Sequence, residues 1–219
     1  MYNIVKKTFL TPTICLMEVE DPRIASAAQP GQFLIVRARP QGERIPLTIC
    51  DYNREKGTVT IVIQMIGAST RIICSLEEGD CLTDFVGPLG QPSDFVGKER
   101  CELDGKRFLF VAGGLGTAPV YPQAKYLHSR GAAVDVIVGA KRADLLILEK
   151  EMSQVCDHLY VCTDDGSKGH HGLVTEKIKM LLAEGNTYDQ AIAIGPMIMM
   201  KFTALTLRET GIPLTVSLN

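Results

Sequence analysis

No stretch of the sequence approaches the roughly 18 consecutive apolar residues of a membrane-spanning helix. The start, MYNIVKKTFLTPTI, sets two lysines beside no apolar run of signal-peptide length. A cytoplasmic protein with no membrane insertion is expected. Clustered cysteines are missing as well. Cys15, Cys50, Cys74, Cys81, Cys101, Cys156 and Cys162 are scattered with no C-x-x-C pair, whereas zinc and iron–sulfur sites draw their ligands from close turns. They read as reduced thiols, with no metal centre expected among them. Nor is charge of either sign in excess: the net charge of −2 and a pI of about 6.1 give no bulk attraction toward nucleic acid or an anionic membrane. A Ser-His-Asp set and a paired-carboxylate motif are both lacking, so no catalytic side chain is expected.

What is present is enough apolar matter for packed cores, 46% of 219 residues, in an amount that suits two modest domains, 1–100 and 101–219. The first half reads as short strands at 33–37, 47–52, 58–65 and 81–86 between turn clusters such as Pro30-Gly31 and Gly87-Pro88-Leu89-Gly90. Residues 58–65 alternate most cleanly, with Val59, Ile61, Ile63 and Met65 on one face. A small antiparallel β-barrel is expected. Beyond 106 the rhythm changes to strands at 108–112, 133–139, 158–163, 190–195 and 213–217, alternating with helices near 117–130, 144–153, 173–184 and 197–210. This predicts a five-stranded parallel α/β domain.

The most informative stretch is RFLFVAGGLGTAPVYPQAKYL, 107–127, an apolar strand followed by glycines and then a helix. Gly113, Gly114 and Gly116 remove Cβ atoms where the chain turns, Thr117 can cap the helix, and Pro119 suits its first turn. The free N–H groups and positive end of such a helix favour a pyrophosphate. A merely tight turn would use the same glycines.

Ligands of open α/β sheets bind beyond the carboxyl ends of the strands, so residues after each strand matter. Asp164 and Asp165 follow the third strand. As a pair they would accept from a ribose 2′-hydroxyl and repel a 2′-phosphate, favouring NAD(H) over NADP(H); Lys141, Arg142 and Lys168 nearby could offset that, and a solvated turn would read the same way. Gly195 and Pro196 make a second tight strand-to-helix exit, open to a nicotinamide, with Met197 after it. His170 and His171 receive no role. In the first half, Arg44-Ile45-Pro46-Leu47-Thr48 offers a guanidinium for phosphate and a hydroxyl for a heteroaromatic ring. Gly67-Ala68-Ser69-Thr70 offers Ser69 or Thr70 as the cap of a short helix that would take a further phosphate oxygen. Two anion-binding devices in one barrel suggest a diphosphate-containing cofactor.

These motifs stand in the order found in the ferredoxin–NADP reductase superfamily, which the chain resembles over nearly its whole length. Within it the chain is similar to the dihydroorotate dehydrogenase electron-transfer subunit, and more so to ferredoxin–NADP reductase subunit alpha, also called the sulfide dehydrogenase small subunit. The resemblance implies a Greek-key β-barrel binding FAD, then a Rossmann-like domain binding NAD(H) or NADP(H). It implies that Arg44, Pro46, Leu47 and Thr48 line the flavin and its phosphates, that Ile63, Gln64 and Met65 edge the ring or ribityl chain, and that Gly67, Ser69 and Thr70 hold the diphosphate. Gly113, Gly114, Gly116 and Thr117 would cradle the nicotinamide pyrophosphate, Asp164 and Asp165 the adenosine ribose, and Gly195, Pro196 and Met197 the nicotinamide. Many relatives carry cysteine where this chain has Ile194. The implied activity is hydride exchange between NAD(H) and FAD, with electrons passed through an iron–sulfur cluster to a larger flavin/iron–sulfur partner subunit or to ferredoxin. The relatives' [2Fe-2S] tail would begin where this sequence ends, so the cluster is expected only in a longer chain. A dihydroorotate dehydrogenase subunit and a non-catalytic nucleotide-binding regulator are the alternatives.

Overall fold

The computed structural model describes residues 1–217, and the chain divides into two units, Met1–Val96 and Gly97–Asn219. The first contains β1 (Tyr2–Thr11), β2 (Ile14–Glu20), α1 (Pro22–Ala27), β3 (Phe33–Arg37), β4 (Ile45–Asn53), β5 (Thr58–Gln64), α2 (Ala68–Cys74), β6 (Cys81–Leu82) and β7 (Asp84–Leu89). Its seven strands form one antiparallel sheet in the order β6-β1-β2-β5-β4-β3-β7. The two strands at its margins, β6 and β7, are separated by Thr83 alone, so the chain itself nearly closes the sheet into a barrel. Thr83 is fastened at this crossing, its N–H donating to the Arg37 carbonyl at 2.9 Å and its hydroxyl to the Ala38 carbonyl at 3.1 Å.

Alternation fills the barrel: Val59, Ile61 and Ile63 of β5 meet Met17, Val19, Leu34, Ile49 and Phe85 in one core. Strands β1 and β2, which the sequence reading left unassigned, pair through two register shifts, between Ile4 and Lys6 and between Phe9 and Thr11. Such bulges break the period-two pattern by which a strand is recognised. Asp21 starts α1 by accepting from the N–H groups of Arg23 and Ile24 at 3.0 and 3.1 Å, with Pro22 at the first helical position. Asp21→Ala is expected to remove about 1 kcal/mol of stability, seen as an earlier denaturant midpoint at unchanged slope.

The second unit contains α3 (Arg100–Leu103), β8 (Arg107–Gly113), α4 (Thr117–Ser129), β9 (Ala133–Ala140), α5 (Glu149–Met152), β10 (His158–Thr163), β11 (His170–His171), α6 (Val174–Ala183), β12 (Gln190–Ile194), α7 (Met197–Leu207) and β13 (Leu214–Ser217). All its strands are parallel, in the order β11-β10-β9-β8-β12-β13. Residues 108–113 are buried throughout, as expected of a central parallel strand covered on both faces. The expected five strands gain a sixth, β11, whose two histidines pair with Cys162 and Thr163. The helix expected at 144–153 shortens to a 3-10 turn over 143–145 and then α5, because Leu146 is extended and Leu148 lies at a φ of 54°.

Toward the amino ends of these strands lies a buried polar cluster. The Asp135 carboxylate, on a residue 3% exposed, accepts from the Tyr188 hydroxyl at 2.8 Å, meets His158 Nδ1 at 2.8 Å, and has Arg107 Nη2 at 3.6 Å. The Arg107 guanidinium also lies over the Tyr188 ring, 5.3 Å from its centroid.

Candidate functional site

From β8 the chain builds outward through β9, β10 and β11 on one side and through β12 and β13 on the other. The order therefore reverses between β8 and β12, and the crevice beyond the carboxyl ends at such a reversal is where open α/β sheets take their ligands. Ala112 and Ile194 are partners in this ladder, so the turns that follow them lie side by side. The structure thus brings together Gly113, Gly114, Gly116, Thr117, Gly195, Pro196 and Met197.

Each glycine has its own reason. Gly114 takes a φ of 53°, with nothing within 4 Å of where a Cβ would stand, so its open side faces free space. Gly116 has a helical φ of −59°, but a Cβ there would land on the Ile194 carbonyl oxygen. A Cβ on Gly195 would lie 2.9 Å from the Gly113 nitrogen. The expectation that Thr117 caps α4 is corrected. Gly116 holds the capping position without a side-chain bond, and Thr117, fully buried as the first helical residue, donates its hydroxyl back to the Gly114 carbonyl at 2.9 Å. The helix start keeps N–H groups available to an outside anion. Pro196 holds the capping position of α7, and Met197 is 70% exposed.

At the end of β10 the acidic pair separates into two roles. Asp165 Oδ1 accepts from the Ser167 N–H at 2.9 Å and the Ser167 hydroxyl at 2.6 Å, bonds that hold its carboxyl below the usual range. Asp165 closes its own turn through one carboxylate oxygen. Asp164 is exposed, its N–H tied to the Ala140 carbonyl at 3.1 Å. Two of the nearby cations are already paired: Lys168 Nζ lies 2.8 Å from Glu149, and Arg142 Nη2 lies 2.9 Å from Asp144.

In the barrel unit the two phosphate-type strings also meet. The Ser69 hydroxyl donates to Glu43 Oε2 at 2.6 Å, bringing the start of α2 to the residue before Arg44. Arg44 Nε contacts Asp84 Oδ2 at 2.8 Å, and Arg37 donates to Asp84 Oδ1 at 3.1 Å. The Arg44 guanidinium first, then Arg37, holds the Asp84 carboxyl below its ordinary range. A guanidinium has five donors, so this contact leaves the forked end of Arg44 for another anion. Neither Ser69 nor Thr70 caps α2, another correction. Gly67 occupies the cap, and Thr70 reaches back to accept from the N–H groups of Ile66 and Gly67 at 3.1 Å each. Around Gly67 nothing lies within 4 Å of a Cβ position. This open helix start, whose cap carries no side chain, lies beside an exposed arginine and could hold a diphosphate.

Pro46, Leu47 and Thr48 lie on β4 opposite Ile35, Leu34 and Phe33, with Pro46 exposed and the other two half-buried. Gln64 and Met65 are half-buried at the end of β5. Ile63 has its side chain fully enclosed in the barrel core, which leaves only its backbone for an outside contact. The β4–β5 ladder ends at Ile49–Ile61, and Ile63 and Gln64 run on beyond it. Sequence reading missed Glu43 and Asp84, which no motif distinguishes from surface acids. Met199, in the first turn of α7, packs against the core of the second unit with its side chain directed back over the start of its helix.

No family model matches the chain. Among known proteins, "Uncharacterized protein in adh 3'region" of Clostridium beijerinckii is 54% identical over 220 residues, spanning 100% of this chain and 74% of that one. The dihydroorotate dehydrogenase B (NAD(+)) electron transfer subunit homolog of Thermotoga maritima is 39% identical over 217 residues, 99% of this chain and 74% of its own length. A solved structure of NADH-dependent reduced ferredoxin-NADP oxidoreductase, described for flavin-based electron bifurcation, superposes with a TM-score of 0.89 at 38% identity, covering 100% of this chain and 76% of the other. A ferredoxin NADP+ reductase from Neisseria gonorrhoeae shares the fold, at a TM-score of 0.75 and 16% identity over 99% of this chain and 96% of that one. The chain belongs to the family of dihydroorotate dehydrogenase B electron transfer subunits, with the two-domain fold of the ferredoxin–NADP reductase superfamily.

Proposed function

We infer that the protein is an FAD-dependent electron-transfer subunit that exchanges a hydride with NAD(H) and hands electrons to a larger partner subunit or to ferredoxin. The observation that carries this reading is the convergence of the Gly113–Thr117 and Gly195–Met197 turns at the reversal of strand order. The Met1–Val96 unit is the FAD domain in this reading, and Gly97–Asn219 the nicotinamide-nucleotide domain. Bound FAD would supply the redox chemistry, taking electrons in pairs from a nicotinamide and releasing them singly.

The chain's own residues bind and orient. The Arg44 fork and the start of α2 at Gly67 hold the flavin diphosphate, while Thr48, Gln64, Met65 and the Ile63 backbone stand along the ring. The start of α4 takes the nicotinamide diphosphate, and Gly195 and Pro196 flank the nicotinamide. Asp164 alone meets the adenosine ribose, and it disfavours a 2′-phosphate because Lys168 and Arg142 already have carboxylate partners. Electron exit through a [2Fe-2S] cluster belongs to a longer chain in this reading, consistent with relatives of which this chain spans about three quarters. No helix among the described residues is long and apolar enough to cross a membrane.

Anaerobic reduction tests the reading. The FAD-reconstituted chain is expected to be yellow and to bleach with NADH about tenfold faster than with NADPH, the ratio given by a like-charge cost of about 1.4 kcal/mol at this exposed carboxylate. A chain that takes up no FAD ends the proposal. Equal rates with both nucleotides end the role given to Asp164.

A further inference from the structure

We propose that Met199 is a positioning residue for the dinucleotide: its thioether keys the turn after β8 to the turn after β12, so that one ligand can engage both. This inference rests on the dinucleotide reading above and names a side chain that reading does not use. The observation lies in the space beside two glycines. A Cβ on Gly113 would stand 2.6 Å from Met199 Sδ, and a Cβ on Gly195 would stand 2.9 Å from Met199 Cε. Met199 fills the notch between the two glycines, beside Pro196 Cδ at 2.8 Å from the Gly113 position and the Gly113 nitrogen at 2.9 Å from the Gly195 position. Gly114 alone of the three faces open space, which assigns the ligand-facing backbone to Gly114 and the inter-turn contact to Gly113 and Gly195.

Helix geometry accounts for the placement. Met199 is the third residue of α7, and side chains of a first turn tilt toward the helix start. From there the unbranched thioether reaches the neighbouring strand end, a narrow and irregular space that methionine suits better than a branched side chain. Its neighbours differ: Met200 is core at 6% exposure and Met197 stands 70% exposed, whereas Met199 is half-buried between the turns.

The two turns are asked for different parts of the ligand. An ADP-ribose fragment needs Asp164 and the Gly113–Thr117 turn, whereas the complete dinucleotide also needs Gly195 and Pro196. Losing Met199 therefore harms binding of the whole molecule more than of the fragment.

Calorimetric titration of the FAD-loaded full chain with NAD+ and, separately, with ADP-ribose tests this without turnover. Met199→Ala is expected to weaken NAD+ about tenfold and ADP-ribose no more than about twofold, a split corresponding to the loss of one well-packed contact. Met199→Leu, which keeps the volume, is expected to stay within about threefold of native for both ligands. Should the alanine variant fail to fold, Met199→Val shortens the side chain and carries the same comparison. Equal losses for the two ligands, or none for either, overturn the proposal. A native chain that binds neither overturns the dinucleotide reading itself, and this inference falls with it.

Discussion

Replacing Gly116 by alanine is expected to leave the protein yellow but nearly blind to NADH, raising the NADH dissociation constant about a hundredfold. The new methyl would fall on the Ile194 carbonyl oxygen, with the carbonyl carbon at 2.6 Å and Gly195 Cα at 2.9 Å. All three obstacles are main chain, so no side-chain rotation relieves them, and the turn after β12 must move. Overpacking of this kind costs about 1–3 kcal/mol, the upper part of which is about a hundredfold in a dissociation constant. The φ of −59° at Gly116 is ordinary for alanine, so the effect isolates space from backbone conformation. Gly114→Ala makes the contrasting control. It meets no atom within 4 Å but is held at a φ of 53°, and it should cost about 1–2 kcal/mol. Fluorescence titration with NADH reads both variants. Native affinity in Gly116→Ala would show that the approach of the two turns does not shape the site.

The second large effect belongs to stability. Asp135→Ala strips the partner from the buried Tyr188 hydroxyl and takes a carboxylate from the partly exposed Arg107, which keeps Asn186; leaving a buried donor unsatisfied costs about 1–3 kcal/mol. Burial, reinforced by the adjacent Asp135 carboxylate, raises the Tyr188 phenol above its ordinary pKa, so it remains a neutral donor that cannot replace the lost charge. Asp135→Asn should fall between alanine and native, since an amide oxygen still accepts from Tyr188 but offers no charge to Arg107. Denaturant unfolding is expected to show the loss in the transition that carries the second unit. An unchanged midpoint in the alanine variant would mean that the cluster adds nothing to stability.

Much of the architecture can be read from residue order. The FLFVA run before three glycines could only be a buried strand turning into a helix, and the return of Gly-Pro after residue 194 marked the adjacent strand end. Other features escaped because they depend on who bonds whom. Thr117 and Thr70 have the chemistry of capping residues, yet each sits inside its helix and bonds backward. Asp165 looked equivalent to Asp164 until Ser167 claimed its carboxylate. Ile63 belonged to the best alternating strand, and that same alternation turns its side chain into the core. Strand β1 hid behind two bulges, and β11 is too short to impose any pattern.

The crossing at Thr83 has a consequence for a chain still emerging from the ribosome. Until residues 81–89 are free, β1 and β3 each present an unpaired margin, the condition in which nascent strands recruit unwanted neighbours. Because the strands that cover these two margins are joined through one residue, both gaps vanish within the same few amino acids of synthesis. The barrel passes from sticky to sealed before the second unit's central strand, which begins at Arg107, has emerged.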